Sequence, residues 1–250
     1  METHRPLASK VVVIMGGSGG IGAATARLFA EAGAKVAVVA GRERQKAVAV
    51  AGELPGEGHR AYVAAIEDSA ALASLADVVA ADFGRVDVLV NSAGFTRAIA
   101  HADLDTLTDE LFDHILRVNC RGMFAAVRAF AKHLRAHGEG LVVNISSIAA
   151  TTGVGSNIAY CVAKAGTDVM GSALARALAP EIRVMTVSPG IVATGFVPGR
   201  DLAWQEKQAA ATPLKRVASP EDVGKAVLAC AVGLTFSTGS VVQVDGGRHL

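Results

Sequence analysis

Apolar β-branched runs alternate along the chain with longer stretches whose apolar positions recur at helical spacing. The runs at 10–15, 35–40, 60–66, 86–91, 141–145, 182–187 and 240–244 predict seven strands. Helices are predicted between them at 20–32, 44–53, 69–83, 109–137, 159–179 and 220–232. This alternation builds parallel strands joined by crossover helices. Most boundaries carry Gly, Pro, Asn or Asp, as helix and turn ends do. No Pro/Ser-rich linker and no repeat beyond the βα unit interrupts the rhythm, so one α/β domain over 1–250 is expected. The pattern breaks at 191–216, a loop-rich stretch holding Pro198, Gly199, Pro213 and the sole tryptophan, Trp204. Such a stretch serves as a substrate lid or binding loop, or else as a surface excursion with Trp204 packed on the body.

Composition narrows the function. Of the 250 residues 51% are apolar and 19% charged, with no charged tail or low-complexity tract, which excludes a disordered chain. A formal charge of +1 without basic clustering argues against nucleic acid and anionic membranes as partners. Cys120, Cys161 and Cys230 lie far apart and fit neither a disulfide framework nor a metal-binding CxxC. They suit a reducing cytoplasm. Residues 1–10 lack an apolar signal core, and no apolar run reaches the ~18 residues of a membrane span, so a soluble cytoplasmic protein is expected.

Directly after the first predicted strand stands Gly16-Gly17-Ser18-Gly19-Gly20-Ile21-Gly22, followed by helix. Glycines let the backbone approach a diphosphate, and the helix N-terminus offers unpaired N–H donors and about half a positive charge. Two spacings are open. Gly17, Gly19 and Gly22 satisfy G-x-G-x-x-G, while Gly16, Gly20 and Gly22 satisfy G-x-x-x-G-x-G; both imply a dinucleotide. An acid at the end of the second strand would accept from the ribose and repel a 2′-phosphate, but Ala40-Gly41-Arg42 stands there. Arg42 could clamp that phosphate, favouring NADP(H) over NAD(H), or be a solvated arginine at a helix start.

Tyr160 and Lys164, four apart in a helical stretch, project from one face. A free tyrosine has a pKa of ~10, and each unit of lowering needs about 1.4 kcal/mol of preferential stabilisation of the phenolate. A neighbouring ammonium and an oxidised nicotinamide both supply it, so Tyr160 could act as acid toward a carbonyl or base toward a hydroxyl.

With these residues in place, the stretch from Val11 to Gly247 resembles the short-chain dehydrogenase/reductase family, and its 3-oxoacyl-thioester reductases in particular. The glycine turn is similar to the family's T-G-x-x-x-G-x-G, with Met15 in the threonine position. Asn91-Ser92-Ala93-Gly94 resembles its N-N-A-G element, and Val118-Asn119-Cys120 the segment carrying its active-site asparagine. Ser147, at the end of Asn144-Ile145-Ser146-Ser147, precedes Tyr160 by the family's thirteen residues. Ser188-Pro189-Gly190-Ile191-Val192-Ala193-Thr194 is similar to the nicotinamide loop, and Val244-Asp245-Gly246-Gly247 to the closing strand and turn.

The resemblance implies roles. Ser147 would polarise the substrate carbonyl, Tyr160 exchange the proton, Lys164 hold the nicotinamide ribose and lower the tyrosine pKa, and Asn119 hold a water in the proton relay. Cofactor contacts are expected from Gly16, Ser18, Gly19, Gly20, Ile21, Gly22, Arg42, Ile66, Asn91, Ala93, Gly94, Tyr160, Lys164, Pro189, Gly190, Val192 and Thr194. The fold it implies is a single-domain Rossmann fold, a doubly wound parallel sheet in the order 3-2-1-4-5-6-7. There are departures: the aspartate usual after the third strand is missing or displaced in Ala65-Ile66-Glu67-Asp68, and Met15 cannot donate a hydroxyl bond.

The family implies a homotetramer, or a dimer, paired through helices 109–137 and 159–179, the latter with a small face of Ala163, Gly166, Gly171 and Ala175. The expected reaction is NADP(H)-preferring hydride transfer to a small-molecule ketone or from a secondary alcohol. The alternatives are an NAD-dependent alcohol dehydrogenase of the same family and a non-catalytic NADP(H)-binding sensor, which would need the glycine turn but not Ser147, Tyr160 and Lys164. His133 and His137 have a chelating spacing but read better as a basic last helical turn, so no metal is expected. Arg97 and His101 either border the substrate pocket or are solvated.

Overall fold

The computed structural model describes residues 5–197, 199 and 201–250. Residues 1–4 of the segment judged to lack a signal core, and Pro198 of the irregular stretch, lie outside the described residues.

Seven parallel strands form one sheet in the order β3-β2-β1-β4-β5-β6-β7. They are β1 (Val11–Met15), β2 (Lys35–Ala40), β3 (Arg60–Val63), β4 (Val88–Asn91), β5 (Gly140–Ile145), β6 (Ile182–Pro189) and β7 (Val241–Val244). The period of two along each strand divides its side chains between two cores. In β1, Val12 and Ile14 enter one layer with Ala26, Phe29, Val223 and Val227. Val13 and Met15 enter the other with Leu72, Val79, Phe130 and Ala175. The first layer is roofed by α1 (Gly20–Glu31), α2 (Arg44–Glu53) and α9 (Pro220–Val232), the second by α3 (Ser69–Phe83), α5 (Gly122–Arg135) and α7 (Ile158–Leu178). Met15, buried in a strand, supports the turn that follows by packing rather than by a hydroxyl.

Three elements differ from the sequence-based expectation. The helix expected over 109–137 is interrupted: α4 (Asp109–Leu116) passes through a π-helical turn, Arg117–Arg121, into α5, which ends at Arg135. The cause is Asn119, whose amide Nδ2 donates to the Ile115 carbonyl at 2.9 Å while its own carbonyl accepts from Thr167 Oγ1 at 3.2 Å. Such bulges recur at functional sites. The stretch 191–216 holds α8 (Leu202–Ala210), started by Asp201, whose carboxylate accepts from the Trp204 N–H at 2.8 Å. A short α6 (Ala149–Thr152) follows Ser147.

The small face of α7 is also used differently. Ala163 packs toward α4, Gly171 lies where a Cβ would meet Thr186 Oγ1 at 2.7 Å, and Ala175 joins the sheet core. These residues bring α7 onto its own sheet and α4; Val162 and Val169 are the large apolar side chains it exposes. Among the described residues no helix is long and apolar enough to cross a membrane.

Candidate active site

The strand order reverses between β1 and β4, and the loops leaving their carboxyl ends separate there to form a crevice. A cavity of about 1460 Å³ occupies it. Gly16 (φ +75°) turns the chain out of β1, and a Cβ on it would lie 2.7 Å from Ala93 Cα in the loop after β4. A Cβ on Gly22 would lie 2.1 Å from the Gly16 carbonyl oxygen. Gly19, in extended backbone, would meet nothing within 4 Å. A Cβ on Gly17 would also crowd the Ile14 carbonyl oxygen, at 2.9 Å, but the positive φ of Gly16 and of Gly20 (+50°) and the open space at Gly19 favour the Gly16, Gly20, Gly22 spacing over the one that runs through Gly19. Gly19 caps α1 without a side-chain hydrogen bond, so the first N–H groups of this twelve-residue helix stay available to an anion. The cradle fits a dinucleotide diphosphate.

Around the cavity stand Gly16, Ser18, Gly19, Gly20, Ile21, Arg42, Ile66, Ala93, Gly94, Ser147, Tyr160, Lys164, Pro189, Gly190, Val192 and Thr194, all expected at the site. Three expected residues do not line it. Gly22 acts behind the wall, through its contact with Gly16. Asn91 is buried in the sheet, where its Nδ2 donates to Asn144 Oδ1 at 2.9 Å. Asn119 is also buried, and both of its amide hydrogens are taken, by the Phe95 carbonyl at 2.6 Å and by Ile115. Its Oδ1 accepts from the Phe95 N–H at 3.2 Å. Through these bonds the side chain ties the loop after β4 to the bulge. Arg97 and His101 do not line the cavity either. The sequence reading missed His114 and Arg248, which do. Arg248 had a signal, since it directly follows the glycine turn after β7.

Proton-transfer groups converge from two elements. Ser147 leaves β5 with its Oγ accepting from the Ala149 N–H at 3.2 Å. Asn157 caps α7, accepting from the Tyr160 N–H at 2.7 Å, and donates to the Arg97 carbonyl at 2.7 Å, which fixes the start of α7 against the loop after β4. One helical turn on, Lys164 Nζ lies 5.6 Å from the Tyr160 ring centroid and donates to the Ile145 carbonyl at 2.7 Å. Lys164 is 4% exposed, and burial pulls its pKa down to about 8 against the opposing pull of Asp168 and Cys120. Burial pushes the Cys120 and Cys161 thiols up, away from thiolate chemistry. His133, on the far side of α5, pairs with Asp77 at 3.0 Å.

At the adenosine end, Asp68 is taken by the start of α3, accepting from Ala70 and Ala71 at 3.0 Å each. Ala65 and Ile66 line the wall in place of the missing acid, and Glu67 reaches Arg42 at 3.6 Å.

An anion cradle at a topological switch point, sharing its cavity with a hydroxyl, a phenol and a buried ammonium, defines a dinucleotide-dependent oxidoreductase. Residues 16–249 match the family model described as enoyl-(acyl carrier protein) reductase. The chain is 39% identical, over the full length of both, to the provisionally named ketoacyl reductase 2 of the granaticin polyketide synthase of Streptomyces violaceoruber. It is 37% identical to cis-4-hydroxycyclohexanecarboxylate dehydrogenase of Sinomonas cyclohexanicum, with 96% of each chain covered. A crystal structure of a short-chain dehydrogenase/reductase of Brucella melitensis, titled glucose/ribitol dehydrogenase, superimposes with a TM-score of 0.91 at 28% identity, covering 99% of this chain and 100% of that one. The chain belongs to the short-chain dehydrogenase/reductase family, enzymes that act on CH–OH and C=O groups with NAD(P)(H).

Proposed function

We propose that the protein transfers hydride between NADP(H) and a ketone or secondary alcohol, with Tyr160 exchanging the proton. The observation that carries this reading is the single cavity shared by the glycine cradle and by Ser147, Tyr160 and Lys164. The nicotinamide supplies the hydride when bound. Ser147 Oγ, held by Ala149, is placed to donate to a substrate oxygen. Tyr160 gives that oxygen its proton in reduction and removes it in oxidation. The Lys164 ammonium, fixed by the Ile145 carbonyl, favours the phenolate electrostatically and has donors left for a ribose. Asn119 acts by positioning Phe95.

Preference for NADP(H) rests on Arg42, which lines the cavity at the end of β2 with its side chain 83% exposed. Lys46 lines the same end, paired with Glu43 at 2.7 Å. A 2′-phosphate would draw Arg42 from Glu67, since a dianion holds a guanidinium more strongly than a half-exposed carboxylate does. The three unpaired cysteines suit a reducing cytoplasm. We place the protein in a homotetramer on family grounds, and a light-scattering mass of one subunit at micromolar concentration would reject that.

The deciding experiment is a turnover screen of ketones with NADPH and NADH, and of alcohols with the oxidised forms, followed at the reduced-nicotinamide absorbance. Turnover favouring the phosphorylated cofactor is expected. Tight cofactor binding with no turnover of any substrate would overturn the proposal.

A further inference from the structure

The substrate end of the cavity is walled by Val154, Phe196, Val197 and Trp204, and one strong cation stands among them, Arg248. Its setting is unusual. Nη1 donates to the Gln208 carbonyl at 3.0 Å and to Thr212 Oγ1 at 3.2 Å, and Nη2 donates to Gln208 Oε1 at 2.5 Å. All three acceptors are neutral. No carboxylate among the described residues lies within ion-pair distance of the guanidinium, whereas Arg216, at the end of the irregular stretch, has Asp222. The closest acid along the chain, Asp245, is taken: it accepts from the Gly247 N–H at 3.0 Å and from the His249 N–H at 2.9 Å, and pairs with the His249 ring at 2.6 Å. These bonds shape the turn that aims Arg248 at α8.

A guanidinium has five N–H donors. Three are used here, which leaves the one on Nε and one on Nη2, two adjacent donors of the kind that meet a carboxylate side-on. Desolvating a cation beside apolar walls without a counter-ion is unfavourable, and an anionic ligand relieves that cost. A phosphate would call for further cations or a cluster of backbone N–H groups, as at the glycine turn. The substrate end has Arg248 and His114 besides the buried Lys164 beneath Tyr160, and no acid lines it.

We infer that Arg248 is a substrate-recognition residue and that the substrate is a ketone or secondary alcohol bearing a carboxylate on an apolar body. The inference rests on the hydride-transfer reading above and adds the substrate class to it. Arg248 binds the carboxylate at the far wall while the carbonyl meets Ser147 and Tyr160. Because the same guanidinium braces α8 through Gln208 and Thr212, a substrate anion would also tie the irregular 191–216 stretch to the closing turn.

The test pairs 4-oxocyclohexanecarboxylate with its uncharged carboxamide, reduced with NADPH by the wild type and by Arg248→Gln. Charge-assisted recognition predicts about 10- to 100-fold higher kcat/KM for the acid in the wild type, carried mainly by KM and weakened by added salt. Arg248→Gln should erase that preference: whatever the loss of the α8 brace costs both ketones, the acid should lose about 10- to 100-fold more than the carboxamide, bringing the ratio of their kcat/KM values close to one. Equal use of both ketones by the wild type overturns the inference and leaves hydride transfer standing. An equal loss of both in the variant also overturns it, since that is the signature of a brace alone. A binding arm separates the two readings when neither ketone turns over: Trp204 fluorescence should report tighter binding of cyclohexanecarboxylate than of cyclohexanecarboxamide, and lose that difference in Arg248→Gln. Selective binding without turnover of any ketone supports the anion site against the oxidoreductase reading; equal binding of the two overturns the site.

Discussion

Lys164→Met should change how stability responds to alkali. In the folded chain without cofactor the ammonium is buried, and its pKa falls from the ordinary 10.5 to about 8. A gap of about 2.5 pH units corresponds to about 3 kcal/mol, the burial cost of the charge below pH 8. The sign follows from which state holds the proton. Between about pH 8 and pH 10.5 the unfolded chain keeps it and the folded chain releases it, so this residue makes stability rise with pH across that window. Below the window the full penalty applies, and above it the penalty is gone. The variant has no such proton but orphans the buried Ile145 carbonyl, at about 1–3 kcal/mol. Wild type and variant should therefore be nearly equally stable at neutral pH, and the wild type should gain about 3 kcal/mol on the variant by about pH 10.5. Urea unfolding of both proteins in a Cys120→Ala background, which removes the thiol that interacts with Lys164, measures the difference at a series of pH values; the titration of Tyr62, Cys161 and Cys230 is common to both. Parallel curves across the window would refute the claim that Lys164 is held as a desolvated ammonium. The variant should also lose turnover, so the same buried charge weakens the fold and serves the chemistry.

Three further outcomes are expected. Tyr160→Phe should abolish turnover and spare cofactor binding, measured by nicotinamide fluorescence; a variant as active as wild type would remove the tyrosine from the mechanism. Arg42→Ala should weaken NADPH roughly 10- to 100-fold while leaving NADH within about threefold; an equal loss of both would make Arg42 a structural partner of Glu67. Gly22→Ala forces a methyl to 2.1 Å from the Gly16 oxygen and should destabilise the chain by about 1–3 kcal/mol or more and weaken cofactor binding, whereas Gly19→Ala, with open space around it, should be tolerated in thermal melts and titrations.

The sequence alone determined the alternation of strands and helices, the glycine turn after β1 and the pairing of Tyr160 with Lys164 on one helical face, because each depends on local spacing that a short window contains. The strand order came with the family resemblance, and the observed sheet follows it. Only the tertiary structure decided matters that rest on distant neighbours. Gly16, Gly17 and Gly22, not Gly19, are held by close approach, because Gly16 abuts Ala93 from another strand's loop, Gly17 packs on Ile14 and Val38, and Gly22 folds back onto the Gly16 carbonyl. The family resemblance gives Asn119 a water-holding role; what only the fold shows is that its amide hydrogens go to Phe95 and Ile115 and that it sits in a π-helical turn within a helix that periodicity reads as uniform. The small face of α7 fits an intersubunit contact equally well until the sheet is seen to occupy it. Arg248 lies 84 residues from Lys164 along the chain, and no local pattern brings it to the substrate cavity. It arrives there because β7 closes the sheet beside β6 and Asp245 turns the chain back across α8.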